Sequence, residues 1–167
     1  MLYQFTGGAV PAHLFTRESW QAIRKVLTPH GVLAVNFAGN VTAPATSIVA
    51  TTLLDAFPPQ ACRAFSDGPS QADYRNLVFF CSNSAAHPIQ FRRPEERDLI
   101  GDRVSPAIRR KVLETFQDFE FRLGGMRRAE VLVDGQEWRL DKAQVPSRIE
   151  HHYIMGSIFP DDVWAQF

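Results

Sequence analysis

Polar residues that could contact a ligand follow short apolar stretches at several points of the chain. A glycine pair, Gly7–Gly8, with Thr6 before it, comes directly after the strand-like residues 2–5. Glycine lets a backbone turn tightly and approach a ligand closely, so this stretch is either a ligand-binding loop or a plain strand-to-helix turn. It is not a G-x-G-x-x-G motif. Asn36 lies at the end of an apolar run, and open α/β sheets bind ligands where their strands end.

Two aspartates stand in front of glycines. Asp67 precedes Gly68 and Pro69, and Asp134 precedes Gly135. Aspartate followed by glycine is typical of a turn, because its side chain hydrogen-bonds the nearby backbone. Each aspartate is therefore either a turn former or a carboxylate that faces a ligand.

Two other chemistries are not supported. Adjacent residues point in different directions, so His151 and His152 do not form a metal site without further ligands, and no cysteine or carboxylate pair completes a set. No G-x-S-x-G motif is present, so a serine nucleophile of the hydrolase type is not predicted.

The two cysteines, Cys62 and Cys81, lie in apolar runs. Neither belongs to a C-x-x-C motif or to a spacing that binds zinc. We therefore predict buried free thiols rather than a disulfide or a metal site.

Composition predicts one globular domain. The chain has 167 residues, 45% of them hydrophobic, which is enough for a substantial core. The 18 Lys and Arg residues balance the 18 Asp and Glu residues, so nucleic acid is not an expected partner. No apolar run approaches the roughly 20 residues of a membrane span, and no signal peptide opens the chain. A cytoplasmic protein without a membrane partner is the expectation.

The first half of the chain alternates strands and helices. Strands are predicted at 2–5, 32–37, 62–65 and 77–81. Thr16 is expected to cap a helix that buries Trp20, Ile23, Val26 and Leu27. A second helix is predicted at 45–57, with Ile48, Val49, Thr52, Leu53 and Phe57 inward. The continuous apolar run at 32–37 favours a buried strand of a parallel sheet. The connection between the last two strands is too short for a crossover helix, so we expect an antiparallel pair.

The second half gives weaker signals. A short helix is predicted at 95–100, and Ser105 followed by Pro106 should open a helix that runs to about residue 119. Its expected apolar face is Val112, Leu113 and Phe116. A β-hairpin is predicted at 130–140 and a short terminal helix at 160–167.

Leu14–Trp20 and Lys25–Asn36 resemble the helix and strand that follow the catalytic loop in the spermidine synthase-like proteins, the polyamine aminopropyltransferases and their relatives. Residues 62–65 and Asn76–Ser82 are similar to the closing β-hairpin of that family. The resemblance implies an α/β fold, namely the second half of the Rossmann-like sheet of class I S-adenosylmethionine (SAM)-dependent methyltransferases, followed by C-terminal helices. Residues 1–84 would form that half, and 85–167 would extend the same single domain.

The same resemblance implies the cofactor and the site. Relatives bind SAM or decarboxylated SAM through an upstream half that this chain lacks if it begins near the fourth strand. Their catalytic carboxylates correspond here to Tyr3 and Thr6, and tyrosine is a poor base near neutral pH. The implied catalytic residues are therefore unknown. The implied substrate-binding residues are Thr6, Gly7, Gly8, Asn36, Asp67 and Asp134, with no metal.

Two functions follow as hypotheses. The chain is a truncated transferase homologue that moves an aminopropyl or methyl group in a polyamine-related reaction on a small molecule and is not self-sufficient. Alternatively, it is a non-catalytic remnant that binds a partner through an exposed sheet edge. A homodimer or a separate N-terminal half would then cover that edge.

Overall fold

A computed structural model of the chain describes residues 9–69, 74–86, 88–100 and 105–158. The predicted strand at 2–5, the predicted helix at 160–167, Tyr3, and the stretch Thr6, Gly7 and Gly8 lie outside the described residues. Within them the strands are β1 (Val32–Gly39), β2 (Cys62–Ser66), β3 (Arg75–Ser82) and β4 (Glu120–Phe121). The α-helices are α1 (Arg17–Val26), α2 (Pro44–Ala56), α3 (Glu96–Leu99), α4 (Pro106–Thr115), α5 (Trp138–Ala143) and α6 (Val145–Ile158).

The described strands form one four-stranded antiparallel sheet, which together with the helices confirms the predicted α/β class. The order is β1-β3-β2-β4, and β3 pairs antiparallel with both β1 and β2. The predicted antiparallel pairing of β2 and β3 is confirmed. The prediction that residues 32–37 lie in a parallel sheet is wrong among the described strands, because β1 pairs with β3, which is antiparallel to it. Strand β2 runs in the same direction as β1, but β3 lies between them.

Helix α1 begins where the sequence predicts. Thr16 caps it, since its Oγ1 accepts a hydrogen bond from the backbone N of Ser19 at 3.3 Å. Trp20 is 3% exposed, whereas Val26 is 81% exposed, so the inward prediction for Val26 is wrong. At about 100° per residue, Val26 lies well around the helix from Trp20.

Helix α2 is buried on nearly all sides. The predicted inward residues are all buried, and they are Ile48, Val49, Thr52, Leu53 and Phe57. The helix shares its core with Leu33, Val35 and Phe37 of β1 and with Trp20 of α1. It lies against the sheet on one side, and a C-terminal segment covers it on another. A helix covered in this way has little polar surface.

The C-terminal segment is not the predicted hairpin. Residues 130–137 contain no strand; they run along α2, whose Thr52 Oγ1 accepts a hydrogen bond from Leu132 N at 2.9 Å. The carbonyl of Leu132 in turn accepts from Arg17 N at 2.8 Å. The turn at Asp134 and Gly135 does form, and Gly135 has φ +84°, which favours glycine. Leu140, predicted as strand, belongs to α5.

The prediction of free thiols is wrong. Cys62 and Cys81 are direct partners across β2 and β3, with Cα atoms 4.1 Å apart, and they form a disulfide. The apolar run around each cysteine indicated burial, but only the register of the two strands places the sulfurs together.

Helices α3 and α4 lie close to their predicted positions, but the predicted apolar face of α4 is not fully buried. Glu95 and Asp98 form a capping box at the start of α3. Helix α4 ends at Thr115 and continues as a 3-10 turn, Phe116–Phe119. Val112 is 57% exposed, so its predicted inward position is wrong, and no residue of α4 is fully buried.

An aromatic cluster covers the sheet face opposite α1 and α2. It consists of Phe65, Phe80, Phe91 and Phe116, whose neighbouring ring centroids lie 4.9–5.9 Å apart. The guanidinium of Arg63 lies over the rings of Phe65 and Phe91, at 5.2 and 5.0 Å from their centroids. Two hydrogen bonds of 2.8 and 2.7 Å join Arg63 to the carboxylate of Glu120. The pair therefore links β2 to β4 across the cluster.

The Arg63–Glu120 pair should make stability depend on pH. Hydrogen bonds from Arg63 hold the pKa of Glu120 below its usual range. A carboxylate of this kind stabilises the fold above its unfolded pKa of about 4.3 and loses that effect as pH falls through its folded pKa. We expect Glu120→Gln to lower the free energy of unfolding at pH 7 by at most about 1 kcal/mol, because both side chains are partly exposed.

The measurement is urea unfolding at pH 7, 5 and 3. The difference between the native chain and Glu120→Gln should shrink as pH falls from 5 to 3. Glu114→Gln is the matched control, since its carboxylate lies 4.0 Å from Arg110 on the exposed surface. A difference that stays constant over this pH range would contradict the prediction.

Candidate functional site

The carboxyl ends of β1 and β2 lie at the same edge of the sheet. The two strands run in the same direction, and the start of β3 lies between their ends. In open α/β folds this edge is where ligands bind. The edge therefore carries the candidate site.

The connection from β1 to α2 is closed by its own side chains. Asn40 Oδ1 accepts hydrogen bonds from the backbone N and the hydroxyl of Thr42, at 2.7 and 2.6 Å. The Asn40 carbonyl accepts from the hydroxyl of buried Thr46. This is an Asx turn that leads the chain into α2.

Hydrogen bonds join the residue after β2 to the start of β3. Asp67 donates from its backbone N to the carbonyl of Asn76 at 3.1 Å, and its Oδ2 accepts from Asn76 Nδ2 at 2.9 Å. Ser66 donates to the carbonyl of Gly68. The side chain of Asp67 is exposed at the edge. The geometry is that of a turn former whose exposed carboxylate is held by Asn76.

Neither glycine at this edge leaves room for a ligand. A Cβ on Gly39 would lie 2.7 Å from the ring of Phe37, and one on Gly68 would lie 2.8 Å from the guanidinium of Arg75. The protein's own side chains thus fill the space that a glycine-rich cradle leaves for a nucleotide. In the part of the chain that the structure describes, the residues do not fit SAM by themselves.

Asn36 lies within β1 rather than at its end. It is half-buried, faces away from α1 and α2, and stands opposite Val78. Alternation along the strands places Asn36, Asn76 and Asp67 on one face of the sheet. Strand spacing sets Asn36 and Asp67 roughly 12 Å apart, with β3 between them. They do not touch, so a ligand that contacts both must lie across β3.

Asp134 lies elsewhere, against the first turn of α1. Its backbone N donates to Glu18 Oε2 at 3.0 Å, and its own carboxylate is exposed. Hydrogen bonds from the backbone N–H groups of Glu18 itself and of Asp134 hold the pKa of Glu18 below its usual range. Phe15, just before α1, contacts both Trp20 of α1 and Phe37 of β1, so α1 packs on the opposite face of the sheet from Asn36. The structure therefore separates Asp134 from Asn36 and Asp67.

Gln144 is a residue that sequence reasoning missed. It is almost fully buried, and its side-chain amide pairs with the backbone of Val10. Val10 N donates to Oε1 at 2.6 Å, and Nε2 donates to the Val10 carbonyl at 3.2 Å. Gln144 thus fixes the backbone just after Thr6, Gly7 and Gly8. A glutamine between two polar helical stretches gives no sequence signal of burial.

A cleft of about 580 Å³ lies on the other side of α2, away from the carboxyl edge. Its lining is largely apolar, with Asp55, Gln60 and Arg128 as the main polar groups; the remaining residues are Ala50, Thr51, Leu54, Pro59, Leu123, Gly124, Met126, Ala129 and Val131. None of the described residues that were predicted to bind a ligand lies in this cleft.

Among the described residues, no three His, Cys, Asp or Glu side chains group as metal ligands would. None of the helices in the described ranges is long and apolar enough to span a membrane.

The chain is homologous to part of a methyltransferase. It is 35% identical over 170 aligned positions to the N-terminal histidine N-methyltransferase of Emericella nidulans, an alignment that covers 96% of this chain and 30% of that protein. The chain therefore spans less than a third of that relative's length. No family model matches the chain.

Among solved structures, a probable spermidine synthase from Corynebacterium glutamicum aligns with 76% of this chain and 45% of its own. The TM-score is 0.43 and the identity 18%. The sequence match supports a methyltransferase-like chain, in keeping with the fold that the family resemblance implied. The narrower spermidine synthase-like family is not confirmed.

Gln144→Leu should destabilise the chain. Leucine keeps the approximate size but leaves the buried N–H and C=O of Val10 without partners, which costs about 1–3 kcal/mol for each unsatisfied group. Urea unfolding should show a lower free energy of unfolding for this variant. Gln90→Leu, at an exposed position, is the control and should change it by less than about 0.5 kcal/mol. Equal effects of the two substitutions would contradict the role given to Gln144.

Proposed function

We propose that this chain forms the acceptor-side part of a SAM-dependent methyltransferase that modifies a nitrogen atom, and that it needs further residues to bind SAM. The observation that carries the proposal is the 35% identity over 96% of the chain to an N-terminal histidine N-methyltransferase. A match of this extent includes the sheet, the helices and the C-terminal segment alike.

The need for further residues has two supports. The chain spans only 30% of that relative, and Gly39 and Gly68 have their open sides filled by Phe37 and Arg75. In the family that the sequence resembles, the SAM-binding half lies upstream. A second segment, in the same polypeptide or in a partner, would supply it.

Methyl transfer fits these residues better than aminopropyl transfer. SAM, when bound, supplies a methyl group on a positively charged sulfur. An imidazole has an unperturbed pKa of about 6.5, so much of it is neutral near pH 7 and its lone pair is available without a strong base. An alkylamine, with a pKa of about 10.4, needs a carboxylate to take its proton. The positions of the family's carboxylates hold Tyr3 and Thr6 here.

In this proposal, the carboxyl edge holds the acceptor. The exposed carboxylate of Asp67 accepts a hydrogen bond from the acceptor's amino group or imidazole N–H. Asn76 holds the carboxylate in place through its Nδ2, at 2.9 Å. Asn36 lies on the same sheet face, but buried Phe65 of the aromatic cluster occupies its cross-strand row on β2, so the proposal rests on Asp67 and Asn76.

A segment exchange tests the methyltransferase. Residues 1–167 replace the matching segment of the Emericella nidulans protein, and the chimera is given SAM with a labelled methyl group and a peptide that begins with histidine. We expect methylated peptide, and none with a peptide in which alanine replaces that histidine. A chimera that melts like its parent but transfers no methyl group would overturn the proposal.

Two controls accompany the exchange. Decarboxylated SAM with putrescine should give no aminopropyl product; such a product in place of methyl transfer would favour the polyamine reaction. Calorimetric titration of the 167-residue chain with SAM should show no binding, and saturable binding would contradict the need for a further segment.

Asp67→Asn should impair the chimera selectively. Asparagine keeps the size of the side chain but removes its charge, and a hydrogen bond to a charged group contributes about 1.5–3 kcal/mol. We expect kcat/KM for the histidine peptide to fall roughly 10- to 100-fold, with an unchanged melting temperature. Asp55→Asn, at an exposed position in the cleft that lies away from the carboxyl edge, is the matched control. Equal kcat/KM for both variants would remove Asp67 from the site.

A partner-binding role without catalysis is the second candidate, because β1 is an edge strand among the described residues. Its outer side carries eight residues of backbone, Val32–Gly39, with Asn36 as their only polar side chain. An exposed strand of this kind pairs readily with another chain. Sedimentation analysis of the 167-residue chain separates the two candidates: a monomer at micromolar concentration, together with an active chimera, excludes the partner-binding role.

A further inference from the structure

Cys62 and Cys81 are the only cysteines of the chain, and the sheet places them opposite each other. Their Cα atoms lie 4.1 Å apart, which is nearer to the roughly 4.5 Å of non-hydrogen-bonded partners in an antiparallel pair than to the roughly 5.5 Å of hydrogen-bonded ones. Leu33 of β1 stands on the other side of Cys81, in the same cross-strand row. The register of three strands therefore brings the two sulfurs together, independently of any ligand.

Burial makes the two sulfurs chemically unequal. Cys81 is fully buried, whereas Cys62, at the start of β2, is half-buried. A buried thiol does not meet an oxidant from solution, while a partly exposed one does. Oxidation would therefore begin at Cys62 and be completed by Cys81.

We propose that this chain matures in an oxidising compartment, where the Cys62–Cys81 disulfide is formed as part of folding, rather than in the reducing cytoplasm that its sequence led us to expect. Disulfides form and persist in secretory and extracellular environments and are rare in the cytosol. The inference does not depend on the proposed function.

The chemistry needs a disulfide-bearing oxidant, such as glutathione disulfide or a thiol oxidoreductase. The Cys62 thiolate attacks the oxidant and forms a mixed disulfide, which releases one thiol of the oxidant. The Cys81 thiolate then attacks the Cys62 sulfur and releases the second thiol. The chain loses two protons and two electrons, and the oxidant gains them.

The position of the bond determines what it stabilises. Cys62 and Cys81 lie at the end of the β2–β3 hairpin remote from Asp67 and Asn76, and the bond closes a stretch with a sequence separation of 19. A closed stretch of this length restricts the unfolded chain. The bond thus holds β2 and β3 in register while the carboxyl edge stays accessible.

The test traps thiols in cells that produce the protein naturally. Cells are quenched with acid, free thiols are alkylated with a maleimide polymer, and the mobility of the native chain is compared before and after reduction. We expect no label before reduction and two labels after it, with most of the chain in the oxidised form. Two labels without reduction in most of the chain would overturn the proposal.

A stability measurement tests whether the Cys62–Cys81 disulfide stabilises the folded chain. The purified chain should melt roughly 5–15 °C lower with reductant than without it. The double variant Cys62→Ala, Cys81→Ala should melt near the reduced chain and should not respond to reductant. If the double variant does not fold, the effect of reductant on the native chain decides. An unchanged melting temperature on reduction, with both thiols labelled, would overturn the role in folding.

Discussion

The pairing of β3 with both β1 and β2 is the constraint on which most of this structure depends. Because β3 is reversed between them, β1 and β2 point the same way and end at one edge. The same pairing puts Cys62 against Cys81 and places Asn36, Asn76 and Asp67 on one face. The candidate site and the disulfide are therefore two results of a single register, located at opposite ends of the β2–β3 hairpin.

The helical layer depends on a second set of long-range bonds. Thr52 of α2 holds Leu132, the carbonyl of Leu132 holds the start of α1, and Gln144 holds Val10. Buried backbone groups must find partners, and here side chains supply them where no strand does. Residues 130–137 thus run along α2 without forming a strand or helix. Together with Gln144, at the end of α5, they hold the chain on either side of the α1 cap.

Local patterns predicted the elements whose physics is local. Thr16 caps α1 as expected, Ser105 and Pro106 precede α4, and the apolar runs of β1, β2 and β3 form strands. The predictions failed where a neighbour decided the outcome. Val26 and Val112 are apolar but 81% and 57% exposed, and residues 130–137, predicted as part of a hairpin, run along α2 without forming a strand. For the site, the sequence located the turns at Asp67 and Asp134. It grouped Asp134 with Asn36 and Asp67 as substrate-binding residues, although the fold separates Asp134 from the other two. It gave no indication of Gln144, because only tertiary contacts bury that amide.

The sequence by itself determined the strands β1, β2 and β3 and the starts of α1 and α4, because capping, turn chemistry and hydrophobic periodicity act over a few neighbouring residues. The tertiary structure alone decided the pairing of the cysteines, the edge at which Asp67 lies and its separation from Asp134. Those outcomes depend on strand register and on which face a helix covers, and both arise from contacts between residues far apart in the chain.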